Sequence, residues 1–386
     1  MGQKRLKTLS KAMAALLIVA LLAPGAAAPA YAAPGDITRV SVSSSEAQAN
    51  SYSRDADISD DGRFVVFWSG ADNLVAGDTN EFEDIFLRDV QAGETTRVSV
   101  NSAGAQANQS SYYPAISGNG RFIAFMSDAT NLVSGDTNGV ADIFVRDRQA
   151  GATTRVSISS SGTQADQPSD SYVAISTDGR YIAFASEATN LVSEDTNGDA
   201  DVFVHDRQTG VTERISLDNN EAQANGSSGN PSLSADGRFV AFTSSATNLV
   251  GGDTNSQIDV FVRDRAIGVT TRVSVNSSGV QADRGGRDPA ISADGRYVAF
   301  ASLATNLFDE EPFGYPHIFV HDRQTGETIL VTVNSDGWQM VGTASSPDIS
   351  ADGRYITYDF DDRADGLGFW EIYLHDRLTG TNTGIS

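Results

Sequence analysis

Six near-copies of one phrase run along this chain at almost constant spacing. In its commonest form it reads S-x-D-G-R-[FY]-[IV]-A-F. Its glycine falls at Gly62, Gly120, Gly179, Gly237, Gly295 and Gly353, with gaps of 58, 59, 58, 58 and 58 residues. Most copies continue through A-T-N-L-V, G-D-T-N, D-[IV]-F-V-x-D-R-x-x-G and T-T-R-V-S-V. A period this regular means an array of equivalent supersecondary units, each burying its apolar face against the next. It also sorts the residues. Those present in every copy read as architecture, and those that break the pattern are candidates for function.

The second copy shows what one unit builds. Pro114 to Ser117 is a short apolar strand, and Gly118-Asn119-Gly120 is a tight turn. The segment RFIAFMS, Arg121 to Ser127, is apolar on both faces, as is DIFVRD, Asp142 to Asp147; such strands must be covered on both sides. TTRVSI, Thr153 to Ile158, alternates strictly and carries a charge outward, as a half-solvated edge strand does. Four strands ordered from buried to exposed describe a propeller blade, so the fold class is all-β, a six-bladed β-propeller with four antiparallel strands per blade. For closure of the ring, Ile37 to Val42 (ITRVSV) matches the fourth-strand phrase and is expected to complete the last blade as its outer strand; Thr381 to Ser386 is a weaker candidate for that slot.

The repeat resembles the TolB-type, WD-like β-propeller family. The resemblance rests on Pro289 to Phe300 (PAISADGRYVAF) followed by Ile318 to Gly326 (IFVHDRQTG), and it covers nearly all of residues 33–386. It implies fold more than function. Propellers of this kind serve as protein-binding modules, as gating domains of peptidases and in some cases as lyases.

The first residues read as a leader. Lys4, Arg5, Lys7 and Lys11 precede an apolar run, Ala12 to Leu22, too short to span a bilayer, and a small-residue site ends at Ala32. Cleavage after 32 is expected to give an exported, secreted chain without a lipid anchor. Removing four basic and no acidic side chains takes the net charge from −23 to about −27. So large an acid excess argues against nucleic acid and anionic membranes as partners. It favours cations, cationic partners or simple solubility. With no cysteine, disulfides and thiolate zinc sites are excluded.

The strongest chemical signal is the loop between second and third strands. It carries Asp78, Asn80 and Asp84 in the first copy and Asp136, Asn138 and Asp142 in the second. The third carries Asp195, Asn197, Asp199 and Asp201, and the fourth Asp253, Asn255 and Asp259. Oxygens at positions 1, 3 and 7 suit a hard cation, so calcium is one expectation. Side-chain to backbone turns that hold the loop are the other. A Gln-Ala-Asn/Asp motif before each next blade, at Gln106 and Gln164 for example, emerges at the same end and either completes coordination or pins the loops.

Both motifs fail in one sector. Around the fifth loop stand Phe313, Tyr315 and His317, and nearby copies add Trp338 and Trp370. Aromatics with a unique histidine on an acidic disc suggest a ligand or partner patch, against the alternative of drift in the end blades. His205, His321 and His375 replace an arginine of the repeat and read as surface substitutions, and the D-G-R arginines as partners of the D-R-x-x-G aspartates. No G-x-S-x-G, H-E-x-x-H or phosphate loop is present. The expected function is that of a non-catalytic, monomeric module binding a protein or glycan at the cell surface, its loops braced by calcium. A metal-assisted polysaccharide lyase or hydrolase using the channel, and a purely structural envelope module, are the alternatives.

Overall fold

The computed structural model describes residues 37–308, 314–334, 336–361 and 370–385. The leader and Phe313 lie outside them. Among the described residues twenty-four strands form six separate four-stranded antiparallel sheets, each from one contiguous stretch of chain. Blade one comprises Ser53–Ile58, Phe64–Ser69, Asp84–Asp89 and Glu94–Arg97, in that spatial order from the axis outward. The remaining five repeat this pattern, the sixth with Thr343–Ile349, Tyr355–Asp361, Trp370–Asp376 and Thr381–Gly384. The six-bladed propeller implied by the repeat is therefore the fold.

The doubly apolar second and third strands form the cores. Each blade packs one aromatic pair across them: Phe67–Phe86, Phe125–Phe144 and Phe184–Phe203 lie 6.0 Å apart, and Phe242–Phe261 and Phe300–Phe319 nearly so. Blade six substitutes Tyr358 and Tyr373 at 5.8 Å. These rings are fully buried in the first five blades, and faces left over between blades are filled by aliphatic side chains.

The D-G-R turn joins neighbours. Gly120 has φ +70°, and a Cβ there would collide with the Phe64 ring of the preceding blade, so glycine is required twice over. Phe64 is in turn held between its own Arg63, 4.7 Å from the ring centre, and Arg148 of the next blade, at 4.1 Å. Arg207, Arg265, Arg323 and Arg377 clamp Phe122, Tyr181, Phe239 and Tyr297 in the same way. The corresponding residue of blade one is Val90, and nothing lies within 4 Å of a Cβ built on Gly62. Among the described residues five joints carry the clamp, and the joint between blades six and one lacks it. The D-G-R arginines also pair with the third-strand aspartates, 2.6 Å apart in all six blades, from Arg63–Asp89 to Arg354–Asp376.

Ring closure differs from the expectation. The outer strand of blade six is Thr381–Gly384, in register with its own third strand from Asp376↔Thr381 to Tyr373↔Gly384. The N-terminal segment does not fill that slot. In the first four blades the fourth strand ends on the arginine of T-T-R or T-E-R, and the [VI]-S-x that follows belongs to the connection. Val42 donates its N–H to the Val40 carbonyl and Ala49 to Ser41, just as Val100 donates to Val98 and Ala107 to Ser99. The match of Ile37 to Val42 was thus to a connection, and Val40 lies buried beside Ala56 and Phe67. A hairpin closed within five residues also costs less chain entropy than recruiting a segment over 300 residues away. Deleting 381–385 should therefore expose the Trp370–Asp376 edge and promote aggregation. Deleting 37–39 should be tolerated, and light scattering on heating would show a reversed ranking if the assignment is wrong.

Candidate functional site

Calcium was expected where the D-T-N loops gather their oxygens. The structure does bring them together, around an arginine. Arg155 Nη1 lies 3.0 Å from Asp136 and 2.9 Å from Asp142; Arg97 lies 3.2 Å from Asp78 and 2.9 Å from Asp84. Arg272 stands 3.3 Å from both Asp253 and Asp259, and Arg214 stands 3.2 Å from Asp201 and 3.7 Å from Asp195. Each arginine comes from T-T-R or T-E-R, on the outer strand. Some of the other oxygens have internal donors: Ser99 Oγ and Asn80 Nδ2 reach Asp84, and the same Asn80 amide reaches the Ala107 carbonyl at 3.0 Å. Asp136 Oδ1 and both carboxylate oxygens of Asp253 are buried and make no hydrogen bond among the described residues beyond the ion pairs with Arg155 and Arg272. Asn138, Asn197 and Asn255 repeat this contact. Asp199 turns toward Ser227, 3.3 Å away in the next blade. In this arrangement a guanidinium stands inside each donor set and brings positive charge to the loop.

The Gln motifs pin the loops. Gln106 donates to Thr79 Oγ1 at 2.8 Å and accepts from the Thr79 N–H and from Arg97. Gln164, Gln223 and Gln281 repeat the threonine contacts, and Gln223 also accepts from Arg214. Burial raises the carboxyl pKa of Asp78, Asp136, Asp195 and Asp253 despite their arginines.

The aromatic sector is dispersed. Trp338 and Trp370 are 60% and 43% exposed, but His317 is 1% exposed and bonds through Nδ1 to Thr332 Oγ1 at 2.9 Å. It belongs to the blade interior and cannot line a surface patch. Tyr315 is half-buried. His205, His321 and His375 are buried too, contrary to the surface reading. Each bonds to the outer strand (Thr212, Thr328 or Asn382), the position that Arg88 contacts at Thr95. The slot is a buried tie between third and fourth strands. Burial holds these rings neutral, with His317 and His321 pushed down to about 4.

A different site emerges on the axis. In every blade the innermost strand carries a β-bulge, and one residue of it adopts a left-handed backbone: Asp55 (φ 47°), Tyr113 (52°), Tyr172 (76°), Asn230 (49°), Asp288 (52°) and Ser346 (51°). None is glycine, and for tyrosine the conformation is rare and strained. Five of these six, from five blades, line one cavity of about 150 Å³, which only the channel mouth allows. The backbone is held constant while the side chains vary as Asp, Tyr, Tyr, Asn, Asp and Ser. A fixed frame with variable side chains presents chemistry rather than maintaining architecture.

Two second-strand residues support the ring. Trp68 Nε1 donates to Asp55 Oδ2 at 2.6 Å. The same slot in blade six holds Asp359, where the other blades have Met126, Ala185, Thr243 and Ala301. Asp359 is 5% exposed, and burial, opposed by the Ser346 hydroxyl and reinforced by the charge of Asp55, pushes its carboxyl up to about 7. From the axis an aromatic ladder runs outward: Tyr172–Tyr113 at 5.2 Å, Tyr113–Tyr112 at 6.1 Å, Tyr112–Trp68 at 5.1 Å and Trp68–Tyr52 at 5.6 Å. Glu83 closes its outer end, accepting from Tyr52 and Ser110 at 2.7 Å and from Tyr112 at 3.1 Å.

Sequence reasoning passed over this ring, although two signals marked it. The single 59-residue gap arises here, since residues 170–172 stand opposite one residue of the second strand where other bulges place two. Asp359 also breaks an otherwise uncharged position.

No family model and no curated protein matches the sequence. Solved structures match the fold. An oligogalacturonate lyase in complex with manganese is 14% identical with a TM-score of 0.54, over 84% of this chain and 74% of its own. The β-propeller domain of the Trilobed protease from Pyrococcus furiosus, described as having an open velcro topology, is 12% identical with a TM-score of 0.53, over 87% and 85%. TolB from Acinetobacter baumannii is 15% identical with a TM-score of 0.46, over 78% of this chain, which spans 59% of TolB's length. At such identities the likeness concerns the fold.

Proposed function

We propose that this protein is an exported binding module that takes its ligand at the mouth of the propeller channel. The observation that carries the reading is the ring of strained, non-glycine residues whose side chains differ from blade to blade while their backbone does not. Strain of about 1 to 3 kcal/mol at each such residue persists only where the surrounding structure enforces it, and it concentrates at binding sites. The partner class is a protein or glycan of the cell surface, and the acid excess of the chain disfavours nucleic acid.

A lyase reading draws on the fold shared with the oligogalacturonate lyase, and on the carboxyl of Asp359, poised near neutrality beside the channel. It lacks a histidine cluster to go with a metal. All four histidines of the chain are buried in blade interiors, each bonded to Thr or Asn. Binding without turnover is therefore the reading we adopt.

Its test uses immobilised cell-surface glycans and envelope proteins with the mature chain. Tyr172→Ala should lower retention at least tenfold, whereas Trp338→Ala, on the rim, should leave it unchanged. Equal binding by both variants would remove the channel mouth as the site, and product formation from any glycan would replace the binding module with an enzyme.

A further inference from the structure

The chemistry of the channel mouth narrows its ligand, on the premise that this is the binding site. The cavity is lined by the carboxylates of Asp55, Asp288 and Asp348, the Tyr172 ring and the Asn230 amide. Among the described residues no Lys or Arg lines it. Arg287 Nε stands 3.7 Å from Asp288, and Arg54 is drawn away over the rings of Tyr52 and Trp68, at 5.4 and 6.0 Å. Behind Ser346 lies Asp359, nine-tenths buried, whose Oδ1 has no hydrogen-bond partner among the described residues. Three carboxylates and an aromatic ring around one cavity, with a further buried carboxyl behind its Ser346 wall, ask for a cation that brings its own hydrogens.

Size selects among cations. A volume near 150 Å³ holds a group about as large as benzene, which suits one side chain and is too small for an oligosaccharide. The Tyr172 and Tyr113 rings, 5.2 Å apart, add aromatic faces that attract ammonium and guanidinium groups. We infer that the channel mouth binds a single organic cation, a primary ammonium or guanidinium on an alkyl stem, held by Asp55, Asp288 and Asp348 against the face of Tyr172. Two sources carry this chemistry, a free diamine and a lysine or arginine displayed on a partner's extended segment. Tyr172 reflects the same environment, for burial first, and then the charges of Asp288 and Asp55, raise its hydroxyl to about 12.

The test titrates the full-length mature chain by calorimetry with three probes: 1,5-diaminopentane, the peptide Gly-Ser-Lys-Ser-Gly with blocked ends, and that peptide with its lysine acetylated. Acetylation should weaken binding at least tenfold, a comparison that needs no variant. Asp288→Asn should weaken the lysine peptide at least tenfold, and Glu327→Gln, on the exposed outer face, should not. Tighter binding of the diamine than of the peptide would identify a free polyamine as the source, and the reverse a protein segment; either supports the inference. Equal binding of free and acetylated peptides would overturn it, as would calcium displacing the amine at equal concentration. If neither amine binds while a glycan is still retained in a Tyr172-dependent way, the cation assignment falls and the channel-mouth reading stands.

Discussion

Arg155→Ala should cost about 3 to 5 kcal/mol of folding stability, because it strands two carboxylates that are almost wholly buried. The side chains of Asp136 and Asp142 are 3% and 1% exposed, and Arg155 is the cation within salt-bridge distance of both. Removing one partner of such a group is far more costly than the group is worth intact. The measurement is the midpoint of denaturant unfolding at pH 7. Calcium sharpens the test. Once the guanidinium is gone, the loop regains the oxygen set of an extracellular calcium site, with dissociation constants of about 0.1 to 1 mM. At ~1 mM calcium and a constant of ~0.1 mM, binding would restore roughly 1.4 kcal/mol. The variant should therefore gain stability from calcium, while the wild-type protein should be indifferent to both calcium and chelator. A wild-type melting curve that drops on chelation would show that an ion shares the loop with the arginine.

The second large effect is a pH dependence centred on Asp359. Its carboxyl is raised from the ordinary aspartate range to about 7 in the folded chain. Between about pH 4 and 7 the folded state holds a proton there that the unfolded state has released, so stability falls as pH rises through this window. A shift of ~3 units corresponds to at most about 4 kcal/mol, fully expressed above pH 7. Asp359→Asn should abolish this loss, making the variant more stable than wild type at pH 8 and no more stable at pH 4. The surface bridges act in the opposite sense. Asp147 is held down to about 2, chiefly by the hydrogen bonds from Arg121, so its contribution is present above pH 4 and is lost as pH falls toward 2. If wild type and variant show the same slope from pH 5 to 8, Asp359 is ionised in the native state and the assignment fails.

The fold was legible in the sequence because it is written six times. A period of 58 residues, doubly apolar second and third strands and a charged outer strand leave little but a propeller. Function was less legible for a physical reason. The D-T-N oxygens looked like an ion site because sequence shows which acceptors are close along the chain. It does not show that Arg97 or Arg155, on another strand, lies among them. The same blindness hid the channel ring. Asp55, Tyr113, Tyr172, Asn230, Asp288 and Ser346 share no side-chain chemistry, and what unites them is a backbone angle at a bulge. His317 was misplaced for a simpler reason. It is unique among the repeats in its position, but uniqueness at the head of a third strand bought burial against Thr332 rather than exposure.

The unclamped joint gives the disc a mechanical direction. Five neighbours are riveted by an arginine laid on the preceding blade's ring, and the sixth contact, where Val90 stands in place of arginine, has no rivet. Both ends of the described chain, at residues 37 and 385, belong to the blades on either side of that joint. Tension applied through the ends should therefore part blades six and one before any other pair, and single-molecule pulling would register a first step at low force. The same tension applied across blades three and four would load a joint fastened by Arg265, so the molecule should be stiffer along one diameter than along another.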